Sequence, residues 1–328
     1  MENDPVFPDL REDAREKVRA ALEAPHRGLF SDLDGTLSAI VSSPAAAVVR
    51  SEVRDLLAEA RTSFDLVAVV SGRPALEAAR LIQVPGIVYA GNHGLERVQL
   101  TPENSHGRGS VPRQIHPEAA RYERVIDETL VNIKMTLGRR FPGVWIEPKG
   151  VTGSIHLRAV AEPEAAEEAV YELAQRLGGP RGLRVTRGRR VIELRPPVEA
   201  NKGTAVTDLI RERELSGALY IGDDQTDLDA FHALRELGRT SGVHGVAVAV
   251  LSAEVPDELA DAADIRLSGE EQVPQFLRWL LDGARGDGRG DGDVAAVANA
   301  GEREGTDMGT GTGTGRGARR GTSATTAH

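Results

Sequence analysis

Four apolar runs in this chain stop at residues able to do chemistry or turn the backbone, namely Asp32, Ser71, Gly91 and Asp223, and two more follow at 246–250 and 264–267. Segments with helical spacing lie between them, as where Val53, Leu56, Leu57 and Ala60 recur along one face. Short runs without a polar face read as strands buried on both sides, and strand and helix in alternation build a doubly wound parallel α/β sheet. Ligands of such sheets bind outside the carboxyl ends of the strands. The residues that end the runs are therefore the first candidates for function.

The run Gly28-Leu29-Phe30-Ser31 leads into Asp32-Leu33-Asp34-Gly35-Thr36. Two carboxylates leaving one strand end suit phosphoryl transfer to a carboxylate, one to attack phosphorus and one to handle the leaving-group proton. Gly35 lets the chain turn sharply, and Thr36 offers a hydroxyl and an amide to phosphate oxygens. The same residues would also make a plain polar turn. A calcium loop is excluded, because Gly35 stands fourth from Asp32 and Ser43 twelfth, where such a loop needs glycine sixth and glutamate twelfth. Downstream, the run 218–222 ends in a second acidic group, Asp223, Asp224 and Asp227. An anionic nucleophile and an anionic substrate repel each other, and Mg²⁺ between them would offset this while needing only one or two protein carboxylates. The alternative is that these acids only open the helix expected at 228–237. The run 64–70 ends in Ser71-Gly72-Arg73-Pro74 before a helical segment, 75–83, which would set the Ser71 hydroxyl and the helix-start amides beside Asp32. Lys202 opens another helix and is a point charge suited to a phosphoryl oxygen, without the glycine spacing of a Walker loop.

In chain order, Asp32-x-Asp34-Gly35-Thr36, Ser71, Lys202 and Gly222-Asp223-Asp224-x-x-Asp227 resemble the four motifs of the haloacid-dehalogenase superfamily. Further segments narrow the resemblance to the trehalose-6-phosphate phosphatase family over about residues 25–282. They are Ser-Gly-Arg (71–73), Tyr-Ala-Gly-Asn-His-Gly-Leu-Glu (89–96), Glu-Pro-Lys-Gly (147–150), Ser-x-His-x-Arg (154–158), Val-Ile-Glu-Leu-Arg-Pro (191–196), Asn-Lys-Gly (201–203) and the stretch 222–231. The resemblance implies Mg²⁺-dependent hydrolysis of trehalose 6-phosphate through an aspartyl-phosphate. Asp32 would be the nucleophile and Asp34 the acid and then the base. The Asp32 carboxylate, the Asp34 backbone carbonyl and Asp223 would hold the metal, with Asp224 and Asp227 supporting. Thr36, Ser71 and Lys202 would meet the phosphoryl oxygens. Glu147, Lys149 and Glu193 match positions that bind glucose hydroxyls, while Arg73, Asn92 and His93 are expected at the entrance and His156 is expected to be structural.

Three residues depart from the family pattern: Leu33 for an aromatic, Pro148 for an aspartate and Leu228 for a glutamate. Pro148 stiffens the chain near the expected sugar site. A phosphatase for another sugar phosphate, such as sucrose 6-phosphate or a mannosylglycerate-type phosphate, would keep the same core residues, as would a phosphotransferase. A non-catalytic phosphosugar-binding regulatory subunit would be expected to lose Asp32 or Asp34, and both are present. The expected partners are a small-molecule sugar phosphate and, functionally, a trehalose-phosphate synthase.

Between the core runs the pattern changes to helix, two strands, helix, two strands. The expected division is an N-terminal extension at 1–24, a catalytic core at 25–103 and 197–282, an α+β cap at 104–196, and a Gly/Thr-rich disordered tail at 283–328. The 328 residues are 40% hydrophobic, enough for real cores, and the net charge of −10 argues against nucleic acid or an anionic membrane as partner. There is no cysteine, and neither a stretch of bilayer length nor a basic-apolar leader is evident. A cytoplasmic location is the expectation.

Overall fold

The computed structural model describes residues 10–41, 46–104, 110–188, 190–252 and 257–286. Helix α1 (Glu12–Glu23) precedes the alternation β1 (Arg27–Ser31), α2 (Ser51–Ala60), β2 (Leu66–Val70), α3 (Ala75–Ile82) and β3 (Val88–Gly91). Then come β4 (Glu96–Gln99), β5 (Arg113–Ile115), α4 (Pro117–Ala120), α5 (Glu123–Leu137), β6 (Trp145–Pro148), β7 (Gly153–His156), α6 (Pro163–Gly178), β8 (Arg184–Gly188) and β9 (Val191–Arg195). The alternation resumes with α7 (Lys202–Glu212), β10 (Gly217–Gly222), α8 (Asp227–Ser241), β11 (His244–Val250), α9 (Asp257–Ala262), β12 (Ile265–Leu267) and α10 (Val273–Arg285).

Eight strands form the larger sheet in the order β12-β11-β10-β1-β2-β3-β4-β5. All pairs from β12 to β3 are parallel. Helices α1, α2, α3 and α10 cover one face through residues such as Val18, Leu57, Ile82 and Phe276. The opposite face is covered by α7, α8 and α9, whose Val206, Phe231 and Leu259 pack on Phe30 and Tyr220. The chain is a doubly wound α/β protein, as its alternating runs require. After β1 it proceeds to β2 on one side, and it later returns as β10 on the other. The carboxyl ends of β10, β1 and β2 meet at this reversal, where a crevice opens.

The remaining four strands make an antiparallel sheet, β6-β7-β9-β8. One of its faces packs Ile155, Ile192 and Leu194 against Ile126, Leu130 and Ile133 of α5 and Val170 and Leu173 of α6.

Four details differ from the sequence reading. Strands β4 and β5 pair antiparallel on the edge of the larger sheet, so that sheet is mixed, and Arg113–Ile115 belongs to it although it falls within the stretch expected as cap. Both strands are short and carry charges, which suits an edge and hides them from a search for apolar runs. The helix expected at 117–137 is broken at Arg121 and Tyr122 because its parts serve different cores: Ala119 of α4 packs on Leu95 and Val151, while α5 packs on the smaller sheet. The N-terminal extension contributes a core helix, since Ala14, Val18 and Ala21 of α1 are buried. Finally, α10 continues to Arg285, past the boundary expected at 283, and Arg285 pairs with Glu59. The Gly/Thr-rich stretch expected to be disordered, from Asp287 on, lies outside the described residues.

Candidate active site

Strands β10, β1 and β2 deliver Asp223, Asp32 and Ser71 to one crevice. The Asp32 backbone N–H donates to the Ile221 carbonyl at 2.8 Å, which locks the nucleophile candidate to the end of β10. Gly35 has φ +88°, and a Cβ there would lie 2.0 Å from Asp223 Oδ2. Only glycine lets the first acidic loop turn while the second packs against it. Thr36 donates its hydroxyl to Asp223 Oδ1 at 2.9 Å. The structure thus gives the Thr36 hydroxyl a carboxylate partner.

Lys202 is buried, with Nζ at 2.9 Å from Asp32 Oδ1 and 2.7 Å from Asp227 Oδ1. Asp227 also accepts the Tyr220 hydroxyl at 2.6 Å and, on Oδ2, the backbone N–H groups of Asp223 and Asp224, each at 3.0 Å. With both oxygens engaged, Asp227 anchors Lys202 and the Asp223 backbone. Asp224 accepts the amide and hydroxyl of Thr226 at 2.8 and 2.6 Å.

Carboxylates outnumber the lysine, and the electrostatics show it. Burial pushes Asp32 well above the usual carboxylate range; Lys202 pulls it down, and Asp227, Asp224 and Asp223 push it further up. Asp223 is pushed up to about 7, by burial first and Asp227 second. Although burial opposes it, Lys202 together with the Thr226 bonds holds Asp224 at about 2. Burial also disfavours the charge on Lys202, but Asp227 and Asp32 more than compensate and raise it. Carboxylate oxygens of Asp32, Asp223 and Asp227 lie within 4.8 Å of one another. Hard oxygen donors with excess negative charge in a buried crevice fit a small divalent cation such as Mg²⁺.

Asp34 is gripped by Arg73, whose Nε donates to Oδ2 and NH2 to Oδ1, both at 2.7 Å, while NH1 reaches Glu77 at 2.5 Å. Ser71 Oγ accepts the Arg73 amide at 3.1 Å, which forms the loop that presents both residues. His93, at φ 57°, lies over Gly72, where a Cβ would come within 2.8 Å of its ring. Burial first, then Arg195, Lys202 and Lys149, push its imidazole down to about 3, so it is neutral near neutral pH.

The crevice opens into a cleft of about 460 Å³ between the two sheets. Asp32, Asp34, Ser71, Arg73, His93, Lys202 and Asp224 line its floor, and Glu147, Lys149 and Glu193 line the side given by the smaller sheet. Glu147 Oε2 lies 2.8 Å from His156 Nε2 and 3.5 Å from Lys149 Nζ, and these partners lower its pKa against the effect of burial. Asn92 is not in the lining. It is wholly buried at φ +50°, with Nδ2 donating to Glu96 Oε1 at 3.0 Å and to the Lys149 carbonyl at 2.9 Å, while Oδ1 accepts the Thr152 hydroxyl at 2.6 Å. Its place is the joint that carries the β6–β7 turn. His156, expected to be structural, lines the cleft instead, together with Trp145, Arg158, Ile40 and Val41. The alternation Ser154-x-His156-x-Arg158 and Trp145-x-Glu147-x-Lys149 carries that signal, because period two sets each trio on one face of its strand. Pro148 is exposed on edge strand β6, where a missing N–H is tolerated, and is not part of the lining.

A family model described as trehalose-phosphatase matches residues 30–270, a stretch that contains every side chain described in this site. The chain belongs to the trehalose-phosphatase family. As a member of it, the protein is a phosphoric monoester hydrolase. Trehalose-phosphate phosphatase B of Arabidopsis thaliana is 33% identical over 262 residues, covering 78% of this chain and 67% of that protein. The trehalose-phosphate phosphatase of Mycobacterium marinum is 34% identical over 267 residues, 79% of this chain and 62% of that one. The crystal structure of a trehalose-6-phosphate phosphatase related protein superposes with a TM-score of 0.60 at 23% identity, over 77% of this chain and 96% of that chain. The last comparison speaks to the shared fold of this trehalose-phosphatase family member.

Proposed function

We propose that the protein hydrolyses trehalose 6-phosphate to trehalose and phosphate through an aspartyl-phosphate on Asp32. The observation that carries this reading is the juxtaposition of a floor built for phosphoryl transfer, Asp32 against Lys202 with Asp34 and Ser71 beside them, and a wall bearing Glu147, Lys149 and Glu193. Asp32 Oδ attacks phosphorus and the bond to the sugar oxygen breaks, with Asp34 donating the proton to the leaving alkoxide. Asp34 then takes a proton from water, which attacks the acyl phosphate and releases phosphate. Both Asp34 oxygens are held by Arg73, so one of these bonds opens before Asp34 reaches the leaving group, and an arriving phosphoryl anion competes for the same guanidinium. Lys202 and the Ser71 loop steady charge on the phosphoryl oxygens.

Asp32 and Asp223, with the Asp34 carbonyl, would hold Mg²⁺, and Asp224 and Asp227 would keep these groups in place. When bound, the ion offsets the repulsion between carboxylate nucleophile and phosphate. Within the expected cap, α5 to β9 (residues 123–195), built on the smaller sheet, act as the part that selects the sugar. A trehalose-phosphate synthase is the functional partner in this reading, as the source of the substrate.

The test is phosphate release from a panel of sugar phosphates, each with Mg²⁺ and with excess chelator. Trehalose 6-phosphate should give the highest kcat/KM, and chelator should abolish it. Preference for another sugar phosphate would move the assignment to that substrate.

A further inference from the structure

Along a strand, side chains two residues apart share a face, and paired residues of neighbouring strands stand side by side. On the smaller sheet this register sets Glu147, Ser154 and Glu193 in one transverse row and Trp145, His156 and Val191 in the next. The rows are separated by about 7 Å, twice the rise per residue. All six side chains line the cleft. The polar row is accounted for by hydroxyl binding, whereas the hydrolytic mechanism makes no use of the second row.

Trp145 is 49% exposed and faces the cleft, so its indole is open to whatever enters. Its indole stacks on the His156 imidazole, with ring centroids 4.5 Å apart and planes 25° from parallel. His156 is in turn fixed by its 2.8 Å contact with Glu147. Another lining residue, Ile40, which the loop after β1 contributes from the floor side, is 61% exposed. A pyranose ring has an apolar C–H face and a polar hydroxyl edge, and an aromatic platform beside a carboxylate row offers one surface for each. Strand β6 runs from Trp145 toward Lys149, whose carbonyl is tied to Asn92 on the larger sheet, so the aromatic row is the one farther from that joint.

We propose that Trp145, backed by His156 and accompanied by Ile40, is the specificity-determining platform for the second pyranose ring of a disaccharide phosphate, the ring without phosphate. The proposal rests on the trehalose 6-phosphate reading. A monosaccharide phosphate anchored at Asp32 engages the polar row and stops short of the platform; a disaccharide phosphate covers both.

Full-length enzyme with Mg²⁺ is assayed on trehalose 6-phosphate, glucose 6-phosphate and p-nitrophenyl phosphate. Trp145→Ala should lower kcat/KM for trehalose 6-phosphate about tenfold, mostly through KM, and change the other two substrates by less than about twofold; Trp145→Phe should restore most of the loss. Trehalose 6-phosphate titrated onto Asp32→Asn protein should perturb tryptophan emission, and the response should vanish when Trp145→Phe is added. Unchanged trehalose 6-phosphate kinetics in Trp145→Ala, or an equal loss on all three substrates, overturns the platform. Failure of the unmutated enzyme to hydrolyse trehalose 6-phosphate while it hydrolyses another substrate is a separate result, which overturns the substrate reading and the platform with it.

Discussion

At the scale of single residues, the candidate site is a contest between burial and charge. Asp32 has one cationic partner, Lys202, and three acidic neighbours that disfavour its ionised form. Asp32→Asn should abolish steady-state turnover with the fold intact, and Asp34→Asn should reduce it by about 10²–10⁴-fold, the usual cost of losing a positioned acid/base. Purified Asp32→Asn with substantial phosphatase activity would remove Asp32 from the nucleophile's role. Asp223 gives a second test, in chelator-treated protein. Its native carboxyl titrates near 7 and its unfolded one near 3.8, so between those values the native state holds the extra proton. Stability from this group is fully present below pH 3.8 and is lost as pH rises toward 7. The melting temperature of metal-free wild type, relative to Asp223→Asn, should therefore fall across that window. Mg²⁺ added near neutral pH should raise the wild-type value, because it binds the folded protein in preference to the unfolded one. A relative melting temperature that climbs with pH would show that the native carboxylate is ionised without metal.

At the scale of elements, the β6–β7 turn hangs on the Asn92 side chain and the buried Glu96 beneath it. Glu96 Oε1 also accepts the amide of Ala75 at 2.8 Å, so the start of α3, the Asn92 loop and the turn after Lys149 share one hydrogen-bonded knot. Asn92→Ala would strand the Lys149 carbonyl and the Thr152 hydroxyl and weaken the seat of Glu96. Each buried polar group left without its partner costs about 1–3 kcal/mol. A loss of roughly 2–4 kcal/mol in urea unfolding is expected, together with a raised KM for the sugar phosphate. No change in either would mean that the turn is held by its own strands. The sequence pattern made the central elements legible: β2 is apolar throughout, and β1, β10 and β11 carry apolar centres between polar or glycine ends, as strands buried on both faces must. Strands β4 and β5, at one end of the sheet, were not legible, because runs of three or four residues with charged side chains carry too little alternation. Asn92 was legible as important through its motif, but its role was not. The bonds that define it reach residues 149 and 152, a separation that no local pattern encodes.

At the scale of the whole molecule, the proposed reading puts phosphate chemistry on the larger sheet and sugar contacts on the smaller one, with the cleft between them. The floor was readable from sequence because the strand ends at Asp32, Ser71 and Asp223 converge in any sheet with this strand order. The aromatic row of the wall was not, since a tryptophan on a short strand reads equally well as core until the register shows which face it shares. The division of labour predicts how damage will divide. If Lys149 and Glu193 hold sugar hydroxyls by charge-assisted hydrogen bonds, each is worth about 1.5–3 kcal/mol. Lys149→Ala or Glu193→Ala should then lower kcat/KM for trehalose 6-phosphate by about ten- to a hundredfold. An aryl phosphate has no hydroxyls to offer these groups, and its hydrolysis should hardly change. Glu147 is the less clean probe, because removing it also strips His156 and Lys149 of their partner. Binding energy from the remote ring can also be used to draw the wall over the floor, so part of the loss should appear in kcat as well as in KM. Equal losses on the sugar phosphate and the aryl phosphate would make Lys149 and Glu193 supports of the fold, and the selection of substrate would then have to come from the floor alone.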